Sequence, residues 1–168
     1  MRFKFDKSKL KIGMRTAKTG LAVFLVLTIF GWLDWEGAQI AALTAVFSLR
    51  EDFDKSLSFG ASRILGNTIG GLLALVFYVV SGWFGHHPLV GIILLPVLTM
   101  LTIVLNVALT NVSGVIGSVS ALLIISLAAP AGSTSLYVVT RVFQTFVGVF
   151  VAILVNGDLA TWKNMLKK

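Results

Sequence analysis

The clearest candidate for binding chemistry is an arginine inside a strongly apolar segment. Arg141 is followed by Gln144 and Thr145, and no acidic residue lies near it along the chain. Within a bilayer such a charge costs at least ~2.5–3.5 kcal/mol, so it should face water, a ligand or a partner. A guanidinium binds carboxylates through two parallel hydrogen bonds. These residues therefore predict an anion site, unless Arg141 extends to the outer membrane surface or pairs with Asp34 or Glu36.

Arg63 and Asn67 add a second pair of candidates for an anion pathway, although Arg63 could instead extend to lipid phosphates at the inner surface. Three segments place an Arg, a small polar residue and a small residue at the same spacing on one helical face. They are Arg15/Thr19/Ala22, Arg63/Asn67/Gly70 and Arg141/Thr145/Gly148. The pattern indicates either related helices or ordinary helix packing. In the topology below, Arg141 begins its helix outside and the other two inside, so a simple rotation cannot relate all three.

The remaining polar residues offer weaker candidates. Asp34 and Glu36 flank Trp35 and could carry protons in a coupled exporter, but a helix cap or a charged turn explains them equally well. The adjacent His86 and His87 are a poor metal signal, and we predict neither a metal nor a cofactor. Arg50 stands among charges that predict a solvated inner loop: Glu51, Asp52, Asp54 and Lys55.

No hydrolase, kinase or metalloprotease motif occurs, and the chain has no cysteine. All seven acidic residues lie outside the long uncharged stretch described below. A two-carboxylate active site within the membrane is therefore disfavoured, and so is an enzyme.

Composition places these residues in a membrane. Of the 168 residues, 57% are hydrophobic and 12% charged, whereas soluble domains average about 45–50% and about 25%. From Ile64 to Thr140 there is no Asp, Glu, Lys or Arg. The net charge is +7, and seven of the 14 basic residues lie in the first eighteen positions. That distribution is typical of a cytoplasmic membrane flank and argues against nucleic-acid binding.

The apolar runs predict an all-α membrane protein with six transmembrane helices in a bundle of helical hairpins. The expected spans are 17–33, 37–49, 64–83, 89–109, 112–129 and 136–156. The second is short, so it either continues through the polar segment as a longer helix or lies buried among the others. Basic residues on both flanks predict cytoplasmic N- and C-termini. The organisation is then a basic interfacial segment (1–16), a six-span domain (17–156) and a basic cytoplasmic tail (157–168).

Small residues recur at four-residue spacing on two spans. The third carries Gly66, Gly70 and Ala74, and the fifth carries Ser113, Gly117 and Ala121 among others. Such faces allow close backbone approach. They predict either packing within the chain or a dimer interface at Gly70 or Gly117.

Three stretches of the sequence resemble the bacterial aromatic acid exporter family, within the fusaric-acid-resistance-like superfamily: KIGMRTAKTGLAVFL, AQIAALTAVFSLREDFDKSLSFGASRILGNTIGGLLAL and RVFQTFVGVFVAILVN. The resemblance implies a six-helix domain of the bacterial inner membrane that exports organic, often aromatic, carboxylates. Distant plant relatives, the aluminium-activated malate channels, imply an anion pathway in a dimeric assembly. Many relatives are longer, so one copy of this chain is expected to oligomerise.

The expected function is therefore organic-anion transport by a homo-oligomer, most simply a dimer, whose partners are the lipid bilayer and a small anionic substrate. The alternative is a small non-transporting membrane subunit that scaffolds or stabilises another membrane complex. A polar, arginine-containing path would favour the first function, and a sealed bundle with an apolar groove would favour the second.

Overall fold

The structure, a computed structural model, describes residues 13–50, 52–128 and 135–157. The predictions for the basic ends of the chain, for Glu51 and for the loop at 129–134 lie outside these residues. Within them are six α-helices and no strand: α1 (Met14–Trp32), α2 (Ala38–Ser48), α3 (Phe53–Trp83), α4 (Pro88–Ala108), α5 (Val115–Ala128, after a 3-10 turn at Val112–Gly114) and α6 (Ser135–Asn156).

The helices lie where the apolar runs predict them, which confirms the all-α membrane class. Among the described residues, α1, α3, α4 and α6 are long and apolar enough to cross a bilayer. The other two are shorter, with 11 residues in α2 and 14 in α5. A count of six crossings and a cytoplasmic location of both termini therefore stay predictions.

The polar segment after α2 belongs to α3. Leu49 at the end of α2 is extended, and the Asp52 side chain caps α3 by accepting a 2.8 Å hydrogen bond from the backbone N–H of Lys55. Because α3 begins at Phe53, Arg63 lies about three turns inside the helix and not at its start, as the predicted span had it. The alternative of a longer second helix is wrong, and α2 is short and packs among other helices.

The helices do not form three hairpins. Helices α1 and α2 pack against each other, as do α3 and α4, but α5 barely contacts α6. Instead α5 packs mainly on α3, and α6 packs on both α2 and α3. The reason is that glycines on these faces let particular pairs of backbones approach, whatever their order along the chain.

Glycine positions mark the closest helix crossings. A Cβ built at Gly70 would lie 2.1 Å from the carbonyl oxygen of Ser118, and one at Gly66 would lie 2.6 Å from that of Gly114. A Cβ at Gly117 would meet Arg63 and Asn67 of the same chain. The small-residue faces of α3 and α5 are therefore used within the chain. A dimer interface at Gly70 or Gly117 is wrong for this reason.

Contacts along each crossing give the relative directions of the helices. Helix α5 runs parallel to α3, because Gly66 meets Gly114 and Gly70 meets Ser118. Helix α6 runs parallel to α2, because Gly37 meets Gln144 and Gly148 meets Ala41. Helices α3 and α6 are antiparallel, because Gly60 meets Val149 and Gly71 meets Val138. These directions are the ones that helices crossing a membrane alternately require.

Candidate functional site

The main candidate site is a pocket of about 360 Å³ between α2, α3, α5 and α6. This volume falls within the range of small-molecule sites in proteins. Three arginines line it, and no Asp or Glu does among the residues that the structure describes. The other polar and small lining residues are Thr44, Asn67, Ser113, Gly117, Ser120, Ala121 and Thr145, and the apolar ones are Ile40, Leu43, Phe47, Phe59, Ile116, Ile124, Ile125 and Val142.

A hydrogen bond between α3 and α6 crosses the wall of this pocket. The amide nitrogen of Asn67 donates to the hydroxyl of Thr145 at 2.5 Å, and the Thr145 hydroxyl donates to the backbone carbonyl of Arg141 at 3.0 Å. Thr145 is fully buried and Asn67 is 9% exposed. Since buried polar groups cost free energy unless they are paired, this contact holds the two helices in one register.

Arg63 projects from α3 into the pocket. Its guanidinium carbon lies 5.2 Å from the centroid of the Phe47 ring, a cation–π distance. The absence of a side chain at Gly117 makes room for it, because a Cβ there would lie 3.1 Å from Nη1 of Arg63. Nε of Arg63 is buried and has no hydrogen-bond partner within the described part of the chain. The group therefore keeps donor capacity that a ligand could use.

Arg141 projects from α6 into the same pocket. Its Nη2 donates to the hydroxyl of Tyr137, and its guanidinium carbon lies 4.7 Å from the centroid of that ring. Nε and Nη1 are buried and unpaired among the residues described. The alternative of an ion pair with Asp34 or Glu36 does not occur, because the carboxylates of both residues are solvent-exposed and neither is paired with Arg141 in the described segments.

Arg50 is the charged residue of the pocket that was not among the predicted site residues. Its guanidinium carbon lies 3.7 Å from the centroid of the Phe59 ring, one turn before Arg63 on α3. Asp52, Asp54 and Lys55 are exposed, as a solvated loop predicts, but Arg50 is half-buried. The distribution of arginines in the sequence could have pointed to Arg50. Between positions 19 and 162 the only arginines are Arg50, Arg63 and Arg141, and all three line this pocket.

A polar cluster at the end of α6 fixes the backbone beside Arg50. The amide nitrogen of Asn156 donates to the carbonyl oxygens of Arg50 and Asp52, at 3.2 and 2.8 Å, and to the Ser56 hydroxyl at 2.9 Å. The Lys18 ammonium of α1 donates to the Asn156 side chain at 3.2 Å. The Ser56 hydroxyl also accepts the backbone N–H of Arg50 at 2.8 Å. This cluster joins α1, α3 and α6 to the Arg50 segment and thereby positions the guanidinium.

Gln144 does not join the predicted site. Its side-chain nitrogen donates to the backbone carbonyl of Glu36 at 2.9 Å, and its amide packs over Gly37, whose φ is +85°. Gly37 also begins α2 without a side-chain cap, so Asp34 and Glu36 do not cap that helix.

Of the five predicted pathway residues, four line the pocket: Arg63, Asn67, Arg141 and Thr145. Asp34 and Glu36 do not line it.

Nothing in the described residues resembles a metal centre, since they contain no group of three or more His, Cys, Asp or Glu side chains. Nδ1 of His87 accepts the backbone N–H of Leu89 at 3.3 Å and caps α4, while Nδ1 of His86 lies 3.3 Å from the Ser81 hydroxyl. Both histidines have structural contacts. The chemistry that the pocket offers is therefore attraction of an anion to guanidinium groups between apolar walls.

Comparison with known proteins gives the same class. The family model described as "Aromatic acid exporter family member 1" matches residues 10–159. The chain is 26% identical over 148 residues to UPF0421 protein YgaE of Bacillus subtilis, which covers 88% of this chain and 39% of that protein. It is 32% identical over 77 residues to UPF0421 protein OB2406 of Oceanobacillus iheyensis, covering 46% and 21% respectively.

The chain thus spans about two fifths of the length of the first of these relatives. No solved structure matches it. The family match covers most of the sequence, including every residue of the pocket. Together with the apolar helices, it shows that this multi-pass membrane protein belongs to the aromatic acid exporter family.

Proposed function

We propose that the chain carries organic anions, aromatic carboxylates among them, across the bacterial cell membrane. One observation carries this proposal: Arg50, Arg63 and Arg141 line one pocket that has no acidic residue in its described lining. Arginine retains its charge in proteins. A pocket with three such charges attracts anions and disfavours cations.

The walls of the pocket suit an organic body better than a small inorganic ion. Phe47, Phe59 and Ile125 lie beside the charged groups, and they offer apolar and aromatic surface to a ring. Arg63 and Arg141 keep unpaired guanidinium N–H groups, and a carboxylate is a strong acceptor for such charged donors. A carboxylate joined to an aromatic ring uses both parts of this lining.

The transporting unit that we propose is a homo-oligomer, most simply a dimer. Four large apolar residues of the pocket lining are exposed: Leu43 and Phe47 on α2, and Ile116 and Ile124 on α5. Contact of an arginine-lined pocket with lipid hydrocarbon through this opening is unfavourable. A second copy packed on these two helices would remove that contact.

Transport by purified protein in proteoliposomes tests this function. We expect saturable efflux of radiolabelled 4-hydroxybenzoate that excess unlabelled benzoate inhibits, and no such flux in protein-free vesicles. Folded protein that neither binds nor transports any aromatic or aliphatic carboxylate would contradict the proposal. That result would favour the alternative, a non-transporting subunit of another membrane complex.

A further inference from the structure

We propose that the preferred ligand of this pocket is an organic anion with two acidic groups. One group is held at Arg50 and Arg63 and the other at Arg141, on opposite sides of the Asn67–Thr145 hydrogen bond. This inference rests on the proposed function and narrows its substrate class. If the pocket binds monocarboxylates and dicarboxylates equally well, the two-group ligand is wrong but the proposed function stands.

The antiparallel helices α3 and α6 meet at Asn67 and Thr145. On α3 an arginine lies four residues before Asn67, and on α6 an arginine lies four residues before Thr145. A glycine follows three residues later on each helix, Gly70 against the backbone of α5 and Gly148 against the backbone of α2. Helix α5 runs parallel to α3, and α2 runs parallel to α6.

The two halves are therefore related by an approximate two-fold axis through the Asn67–Thr145 hydrogen bond. This two-fold relation accounts for the arginine spacing that α3 and α6 share. It also explains why the two copies of the pattern run in opposite directions across the membrane. Transporters built from inverted repeats place their ligand sites at the interface of the repeats. Here that interface carries one arginine on each side of the axis.

The two arginines lie at different levels along the antiparallel helices. Gly71 of α3 contacts Val138 and lies near Val142, so Arg141 is roughly level with Gly71. Arg63 lies eight positions before Gly71 on α3, which is roughly 12 Å of helix rise. The two arginines thus approach one pocket from opposite ends. Two acidic groups on an extended body can engage both ends at once, whereas a single carboxylate would require Arg141 to leave Tyr137 and extend toward Arg63.

The charge of the pocket also favours a ligand with two acidic groups. Three guanidinium groups share the pocket, and no carboxylate in the described chain compensates them. A bound monoanion leaves two of these three positive charges without a counterion. A bound dianion is also a single molecule, but it neutralises two of them. The Asn67 amide and the Thr145 hydroxyl between the ends are already paired with each other. The middle of the ligand therefore meets a neutral wall and the apolar side chains.

Three aromatic probes separate these contributions. Terephthalate carries two carboxylates at opposite ends of a ring, monomethyl terephthalate has nearly the same shape with one charge removed, and phthalate has two adjacent carboxylates. A hydrogen bond to a charged group corresponds to about tenfold or more in affinity. We expect purified protein in nanodiscs to bind terephthalate at least tenfold more tightly than the monoester, and more tightly than phthalate.

One variant and one control assign the second carboxylate to Arg141. In Arg141→Gln, we expect the ratio of the two dissociation constants, monoester over terephthalate, to fall close to one. In Arg15→Gln, the ratio should stay as in the wild type, because Arg15 is exposed on α1 and lies outside the pocket. The ratio in the wild-type protein is informative even if a variant does not fold.

Equal affinity for terephthalate and its monoester in the wild type would overturn the proposal. So would equal affinity for terephthalate and phthalate, since the two ends would then not be engaged together. If 4-hydroxybenzoate is nevertheless transported, the organic-anion function stands and only the two-group ligand is wrong. If no carboxylate binds, both proposals fail.

Discussion

The Asn67 side chain on α3 donates to the Thr145 hydroxyl on α6 at 2.5 Å, midway between the two arginines that enter the pocket from opposite ends. The contact joins the packing of the fold to its proposed chemistry. It sets the register of the two antiparallel helices, and that register decides whether Arg63 and Arg141 reach the same pocket.

Thr145→Val should destabilise the protein by about 1–3 kcal/mol, because it removes the acceptor and leaves the buried Asn67 amide unpaired. Thr145→Ser keeps the hydroxyl and should cost less. Thr140→Val is the matched control, since Thr140 makes the same type of bond to the carbonyl four residues earlier but is exposed. Thermal unfolding in detergent measures all three variants. A loss in Thr140→Val as large as that in Thr145→Val would argue against a specific role for the interhelical bond.

Gly70→Ala should be strongly destabilising, by about 1–3 kcal/mol or more, because its Cβ would lie 2.1 Å from the Ser118 carbonyl and force α3 and α5 apart. Gly82→Ala on the same helix is the control. Apart from its own helix, no part of the described chain lies within 4 Å of a Cβ there, and alanine is the better helix former by about 1 kcal/mol. The two substitutions should therefore shift the unfolding temperature in opposite directions. A tolerated Gly70→Ala would show that the close crossing of α3 and α5 is incorrect.

Asn156→Ala should loosen the segment that carries Arg50, because one amide group satisfies two backbone carbonyls and the Ser56 hydroxyl there. We expect a loss of about 1–3 kcal/mol. Proteolysis or hydrogen exchange should show faster opening near residues 50–56. Lys18→Met, which removes only the ammonium bonded to Asn156, should have a smaller effect at the same place. Unchanged exchange in Asn156→Ala would contradict this assignment.

Stability should depend on pH through the cap of α3. The backbone N–H and the side chain of Lys55 both donate to the Asp52 carboxylate and lower its pKa below the ordinary value. A carboxyl with a lowered pKa in the folded state stabilises the protein above the unfolded pKa, near 4, and this contribution is lost as pH falls through the folded pKa. Asp52→Asn should lack this dependence. The difference in unfolding temperature between wild type and variant should therefore shrink below about pH 4, and a constant difference from neutral pH downwards would contradict it.

The six-span topology predicts that the two ends of α3 lie on opposite sides of the membrane. The chain has no native cysteine, so single cysteines report their location directly. In intact cells we expect a membrane-impermeant maleimide to label Phe84→Cys and not Asp54→Cys, both of which replace exposed residues. Labelling of both positions after cell lysis is the control. The reverse pattern would invert the topology.

Much of the fold is predictable from the sequence because bilayer helices are long apolar runs whose ends are marked by charge and turns. The arginine spacing on α3 and α6 likewise identifies four pocket residues. The isolation of Arg50 among the arginines is a signal in the sequence, but the charges beside it predict a solvated loop, and the Phe59 ring and the Asn156 cluster show that it turns inward. Gln144 shares a helix end with Arg141, but its amide donates to the carbonyl of Glu36 and packs over Gly37, just before α2.

The sequence pattern also does not predict that α5 packs on α3 and forms no hairpin with α6. Small-residue spacing marks a face as able to approach another helix but does not say which one. The outcome depends on complementary glycines, here Gly66 and Gly70 against Gly114 and Ser118. These contacts are visible only when the two helices are seen together.

The most direct test of the anion pocket is transport of 4-hydroxybenzoate by arginine variants in proteoliposomes. We expect Arg141→Gln and Arg63→Gln each to reduce flux about tenfold or more, since each removes a charged hydrogen-bond donor from one end of the pocket, where the carboxylate or the hydroxyl oxygen of this ligand binds. Arg141→Lys should recover only part of the flux, because lysine lacks the planar fork. Arg15→Gln should transport like the wild type. Normal flux through folded Arg141→Gln and Arg63→Gln protein would contradict the account.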